Sequence, residues 1–111
     1  MPLSALLRCR DLQQTRAWYE ALGFNVSDSA QATLTVSLQG SQLVFTKDDL
    51  WGSEPGCSGT FYLSITDLDR YHEQVKGRTT LAWPLQDMPY GSREFGVRDC
   101  NGYYLAFSEQ H

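Results

Sequence analysis

A chain of 111 residues, 41% hydrophobic and 20% charged, is long enough for one domain with its own core and lies outside the compositions of disordered chains and membrane spans. Its net charge of −4, with no basic stripe, argues against a nucleic-acid partner; such a field favours a cationic small molecule, although mild acidity also serves solubility alone. No apolar run approaches the roughly 20 residues of a spanning helix, and the opening residues lack the basic and apolar regions of a secretion signal, so no membrane association and a cytoplasmic location are expected.

Residues 3–10 alternate, with Ala5, Leu7 and Cys9 against Ser4, Leu6, Arg8 and Arg10, and predict a strand. Asp11 then serves as a helix N-cap, Leu12, Thr15, Trp18/Tyr19 and Leu22 recur at helical spacing, and Gly23 ends the helix. Residues 24–27, 32–39 and 41–47 read as three short strands separated by turns at Asp28-Ser29 and Gln39-Gly40-Ser41. Residues 48–59, with Trp51, Gly52, Pro55, Gly56 and Gly59, form a connection.

The order then starts again. Residues 60–66 predict a strand, Asp67-Leu68 opens a helix closed by Gly77, residues 79–83 form a strand and 84–91 a loop. Residues 93–98 and 103–109 complete a hairpin whose Asn101-Gly102 pair suits a two-residue turn with positive φ. On the returning strand Tyr103, Leu105, Phe107 and Glu109 share a face, so a carboxylate ends an apolar row. Cys9, Cys57 and Cys100 are odd in number and widely spaced, which fits incidental thiols and neither a disulfide framework nor a zinc site.

Asp11-Leu12 and Asp67-Leu68 occupy the same strand-to-helix junction, and Gly40-x-x-Leu43-x-Phe45 matches Gly102-x-x-Leu105-x-Phe107. The expected fold is therefore α+β, with two tandem βαβββ modules at about 1–48 and 60–111 joined by 49–59. Neither half buries its sheet alone, so two curved mixed sheets around a shared cleft, helices outside, are expected.

Three stretches carry a resemblance: Arg-Asp-Leu-Gln-Gln-Thr-Arg-Ala-Trp-Tyr-Glu-Ala-Leu-Gly-Phe at 10–24, Ile-Thr-Asp-Leu-Asp at 65–69, and Gly-Ser-Arg-Glu-Phe-Gly-Val-Arg-Asp-Cys-Asn-Gly-Tyr-Tyr-Leu-Ala-Phe at 91–107. Together they resemble the vicinal oxygen chelate superfamily, which contains glyoxalase I, extradiol dioxygenases and bleomycin-resistance proteins. In metal-dependent relatives the resemblance places ligands at Ser4, Lys47, Thr60 and Glu109, of which Glu109 alone is a usual donor. No metal and no cofactor are therefore expected; His111 at the chain end and His72 within a helix do not complete a site. Were the halves to face each other, the Lys47 ammonium would approach Glu109 in place of an ion; the alternative is that both ends are solvated.

Taking the cleft sides as Ser4, Leu6 and Arg8; Leu43, Phe45 and Lys47; Thr60, Tyr62 and Ser64; and Leu105, Phe107 and Glu109, with Trp51, Trp83 and Tyr90 on loops, the wall is mostly apolar with polar tips. The expected ligand-binding residues are Phe45, Lys47, Trp51, Thr60, Tyr62, Trp83, Tyr90, Phe107 and Glu109. No residue pattern marks a nucleophilic enzyme. The pattern is most similar to the bleomycin-resistance branch, which implies a domain-swapped homodimer that sequesters an aromatic or cationic antibiotic-like molecule unaltered. A glyoxalase-type lyase or isomerase with a degenerate metal site, and a dimer with no small ligand, are the alternatives.

Overall fold

The computed structural model describes residues 5–29 and 32–110, so Ser4 and His111 lie outside the described residues. The chain divides into two compact units, Met1–Gly56 and Cys57–His111, with the division inside the connection expected from its glycines and prolines.

In the first unit, β1 (Leu6–Arg8) is followed by α1 (Leu12–Ala21), β2 (Asn25–Asp28), β3 (Thr33–Leu38) and β4 (Ser41–Thr46). Asp11 caps α1 as its residue type requires: its carboxylate accepts the Gln14 amide at 2.9 Å. Gly23, at φ +87°, turns the chain out of the helix. The sheet order is β1-β4-β3-β2, with β1 and β4 parallel. Register sets Phe45 beside Leu7 and Leu34, and Leu43 beside Val36, so these side chains share the face that α1 covers. There Tyr19 meets the ring of Phe24 at 4.9 Å and that of Phe45 at 5.3 Å, and all three are buried.

The second unit repeats this plan with β5 (Thr60–Ser64), α2 (Leu68–Val75), β6 (Leu81–Asp87), β7 (Ser92–Arg98) and β8 (Tyr104–Gln110), in the order β5-β8-β7-β6. Its core lies between α2 and one sheet face, where Tyr71 from the helix packs edge-on against Phe107 at 5.0 Å and Phe107 lies 5.2 Å from Phe95. The duplication read from spacing is thus a duplication of strand order and of the parallel pair β5 and β8.

Three sequence expectations change. The strand expected at 79–83 runs over Leu81–Asp87, straight through Pro84. Proline ends most strands because it lacks an N–H, but β6 is the sheet edge, and its pairing with β7 shifts register on both sides of Trp83, which leaves that missing donor unneeded. The turn at 99–102 is also longer than a two-residue one. Gly102 alone has positive φ there, its amide donates to the Asp99 carbonyl at 3.1 Å, and the Asp99 side chain accepts the amides of Asn101 and Tyr103, both at 2.8 Å. That is a type I turn closed by a left-handed glycine, organised by a buried aspartate.

The third change concerns faces. Parallel pairing places Phe61 beside Leu105 and Leu63 beside Phe107, so Leu105, Phe107 and Glu109 share the helix-covered face, as do Leu43 and Phe45 in the first unit. Thr60, Tyr62 and Ser64 lie on the other face, beside Tyr104, Ala106 and Ser108.

Candidate functional site

Glu109 shows what the acid at the end of the apolar row meets. Asp67, although equivalent to Asp11 by spacing, adopts φ 55° and ψ 50° and makes no side-chain cap. The Glu109 carboxylate takes over that task from the neighbouring strand, accepting the Asp67 amide at 3.1 Å through Oε2 and the Leu68 amide at 3.2 Å through Oε1. An anion at a helix N-terminus satisfies orphan donors and complements the helix dipole. Replacing Glu109 by alanine is expected to lower unfolding free energy by about 1–2 kcal/mol, measured by urea denaturation, with glutamine losing less; unchanged stability in the alanine variant would show that the cap contributes nothing.

The positions compared with metal ligands do not converge within the second unit. Thr60 pairs with Tyr104 at one end of the parallel pair, whereas Glu109 lies one residue beyond Ser108, the partner of Ser64, at the other end. Five residues of strand separate the two levels by roughly 16 Å, and the alternation places the side chains on opposite faces. Among the described residues no group of three His, Cys, Asp or Glu side chains is clustered to hold an ion.

The other face of the second sheet gathers a different set. At its centre Gly96 pairs with Ala106, and Ala106 pairs with Tyr62. Two small residues side by side leave room on the sheet for rings. Trp83 fills that room: a Cβ on Gly96 would stand 2.3 Å from indole Cε2, so the indole lies directly on the glycine. The register shifts that flank Trp83 aim the indole there. Tyr104 runs nearly parallel to it, with centroids 6.3 Å apart and planes at 24°, and carries the Arg98 guanidinium 5.9 Å from its own centroid.

Glu94 lies under this layer with 1% of its surface exposed. Its Oε2 accepts from Trp83 Nε1 at 3.1 Å and its Oε1 from the Tyr90 hydroxyl at 2.6 Å. Tyr90 reaches it from a tight turn in which Gly91, at φ +93°, donates its amide to the Met88 carbonyl at 3.1 Å. The hydrogen bond to Glu94, with desolvation and a further hydrogen bond with Tyr62, raises the Tyr90 phenol well above its ordinary pKa and keeps it a donor. Tyr62, Tyr90 and Tyr104 nevertheless remain exposed.

Of the residues expected to bind a ligand, the structure brings Tyr62, Trp83 and Tyr90 together on this face, with Thr60 at its edge beside Tyr104. Phe107 and Glu109 lie on the helix side of the same sheet. In the first unit Phe45 is buried against α1, whereas Lys47 is exposed just past β4. Trp51 is exposed on a loop that Asp49 organises by accepting the amides of Trp51, Gly52 and Ser53 at 3.2, 2.7 and 3.3 Å. Desolvation pushes the Asp49 carboxyl up, but the Gly52 and Ser53 amides, the Arg8 charge and the Trp51 amide outweigh it and bring the pKa below its usual value.

Sequence alone does not single out Glu94, Gly96 and Tyr104. They share a face with Trp83 through its pairing with Gly96, which lies between two register shifts that no local pattern announces, and the available signal is the small pair Gly96 and Ala106 on facing strands.

The sequence profile described as the Glyoxalase/Bleomycin resistance protein/Dioxygenase superfamily matches residues 3–107. The chain belongs to this superfamily. No curated protein matches it by sequence. Among solved structures it is similar to a bleomycin-binding protein complexed with bleomycin, at TM-score 0.73 and 20% identity, covering 100% of this chain and 99% of that one. It is also similar to a glyoxalase/bleomycin resistance protein/dioxygenase from Alicyclobacillus acidocaldarius, at TM-score 0.76 and 21% identity over 98% and 91% of the two chains. TioX from Micromonospora sp. ML1 matches at TM-score 0.77 and 18% identity over 100% and 97%. At these identities the likeness shows the superfamily fold: two βαβββ modules, each with a four-stranded mixed sheet and one helix.

Proposed function

We propose that this superfamily member is a small-molecule-binding protein that sequesters an aromatic or cationic, antibiotic-like ligand without a metal ion and without altering it. The observation that carries the reading is the layer of rings held on Gly96 and Ala106 around buried Glu94. Exposed aromatic rings fixed by hydrogen bonds present flat apolar area at little entropic cost, which suits stacking against a planar guest. A relative of the same fold is described in complex with bleomycin, and its ligand class is the starting point for a search.

The reading includes a cytoplasmic, domain-swapped homodimer, for which light scattering after gel filtration should give twice the chain mass. Tryptophan fluorescence and thermal shift across a panel of aromatic and cationic antibiotics test the binding. A ligand at about 100 times its Kd stabilises the folded state by about 2.7 kcal/mol, a readily measured rise in Tm. A panel without any shift, or stoichiometric metal in the protein as isolated together with turnover, would overturn the proposal.

A further inference from the structure

Glu94 is a nearly inaccessible carboxylate whose two hydrogen-bond partners, Trp83 Nε1 and the Tyr90 hydroxyl, are both neutral donors. Among the described residues no lysine, arginine or histidine forms an ion pair with it. Buried charges are ordinarily paired, because desolvation is costly and attraction to a counter-charge offsets it. A negative charge kept beneath a layer of aromatic rings, with no ion-paired cation among the described residues, is therefore an unusual arrangement, and its consequence depends on access.

Access is the deciding feature. Each Glu94 oxygen already accepts a hydrogen bond and the side chain is covered, so a guest at the surface meets ring faces and not the carboxylate itself. Donating hydrogen bonds to an anion makes the indole and phenol rings more electron-rich, which strengthens their hold on a positive charge. A primary ammonium loses strong hydration on entering such a site, and the covered Glu94 oxygens, each already accepting a hydrogen bond, do not replace it. A quaternary or delocalised cation gives up little hydration and needs no acceptor. The Arg98 guanidinium, itself planar and weakly hydrated, already lies over Tyr104 on this face.

We propose that Glu94 makes the face formed by Trp83, Tyr90 and Tyr62 a site for a planar organic cation whose charge is quaternary or delocalised, held by ring faces and the field of the covered carboxylate without a direct ion pair. This rests on the sequestration reading and narrows its ligand class.

The test compares 1-methylquinolinium with its neutral isostere 1-methylnaphthalene, and with a naphthalene bearing a primary aminomethyl group, by quenching of tryptophan fluorescence in the full chain. The expected result is binding of 1-methylquinolinium about tenfold tighter than either of the others. In Glu94→Gln that preference should fall to less than twofold while affinity for the neutral isostere is kept. Glutamine has an acceptor for Trp83 and a donor for the Tyr90 oxygen, and circular dichroism verifies its folding. Tighter binding of the primary amine overturns the inference, as does a cation preference that survives Glu94→Gln. Equal binding of all three also overturns it but leaves sequestration standing. Failure of all three to bind, together with a silent antibiotic panel, removes both. Should Glu94→Gln not fold, the same comparison in Tyr62→Ala and Trp83→Ala decides: loss of the preference in either supports the assignment, and retention in both overturns it.

Discussion

Replacing Gly96 by alanine is expected to destabilise the protein by about 1–3 kcal/mol and to abolish ligand-induced changes in tryptophan fluorescence. The sign makes this prediction sharp. Gly96 does not have positive φ, and at such a site alanine ordinarily stabilises by about 0.4–1 kcal/mol through the unfolded chain. Here the added methyl would lie 2.3 to 2.5 Å from the Cε2, Cδ2 and Cζ2 atoms of Trp83. These atoms belong to the body of the indole, so the whole ring must lift. Lifting it breaks the Nε1 bond to Glu94 and leaves a buried carboxylate oxygen without its donor.

Two controls isolate the cause. Gly77, where an added methyl would meet nothing within 4 Å and φ is not positive, should tolerate alanine with neutral or slightly improved stability. On a Trp83→Ala background, Gly96→Ala should lose its cost, because the atoms it collides with are gone. A double-mutant cycle in urea denaturation measures that coupling directly. Additive effects would mean that the glycine does not hold the indole in place, and the ring layer would lose its foundation.

The order of elements was legible because alternation, helical spacing and glycine punctuation are local signals. Asp11 marked one helix start, and the matching Gly40 and Gly102 segments disclosed the repeat. What was not legible was register across strands far apart in sequence. β8 lies beside β5 through a parallel pairing that forms only after α2, β6 and β7 intervene. Nothing local says whether Phe107 stands beside Leu63 or beside Tyr62, and a slip of one residue exchanges the faces. The same gap hid the meaning of Glu109, which was visible as an acid out of place while its partners were backbone amides at Asp67 and Leu68. Pro84 concealed Glu94 in another way, since ending the strand at Trp83 and reading a loop from residue 84 removed the part of β6 that pairs with Glu94.

Phe107 and Tyr62 separate the two faces by experiment. Phe107 is fully buried between Tyr71 and Phe95. Truncation to alanine removes most of a ring from a packed core and is expected to cost about 3–5 kcal/mol. Against a total of roughly 5–15 kcal/mol for a domain, that removes a large share of the stability. Loss of binding in Phe107→Ala would therefore accompany loss of stability. Tyr62 is 58% exposed on the opposite face. Its truncation should change stability by no more than about 0.5 kcal/mol while weakening an aromatic ligand by about 1–2 kcal/mol, roughly five- to thirtyfold. Urea midpoints and ligand titrations on both variants give four numbers, and the faces are assigned by their pattern. A stable Phe107→Ala that no longer binds, beside a Tyr62→Ala that binds normally, would place the ligand on the helix side of the sheet and reverse the assignment.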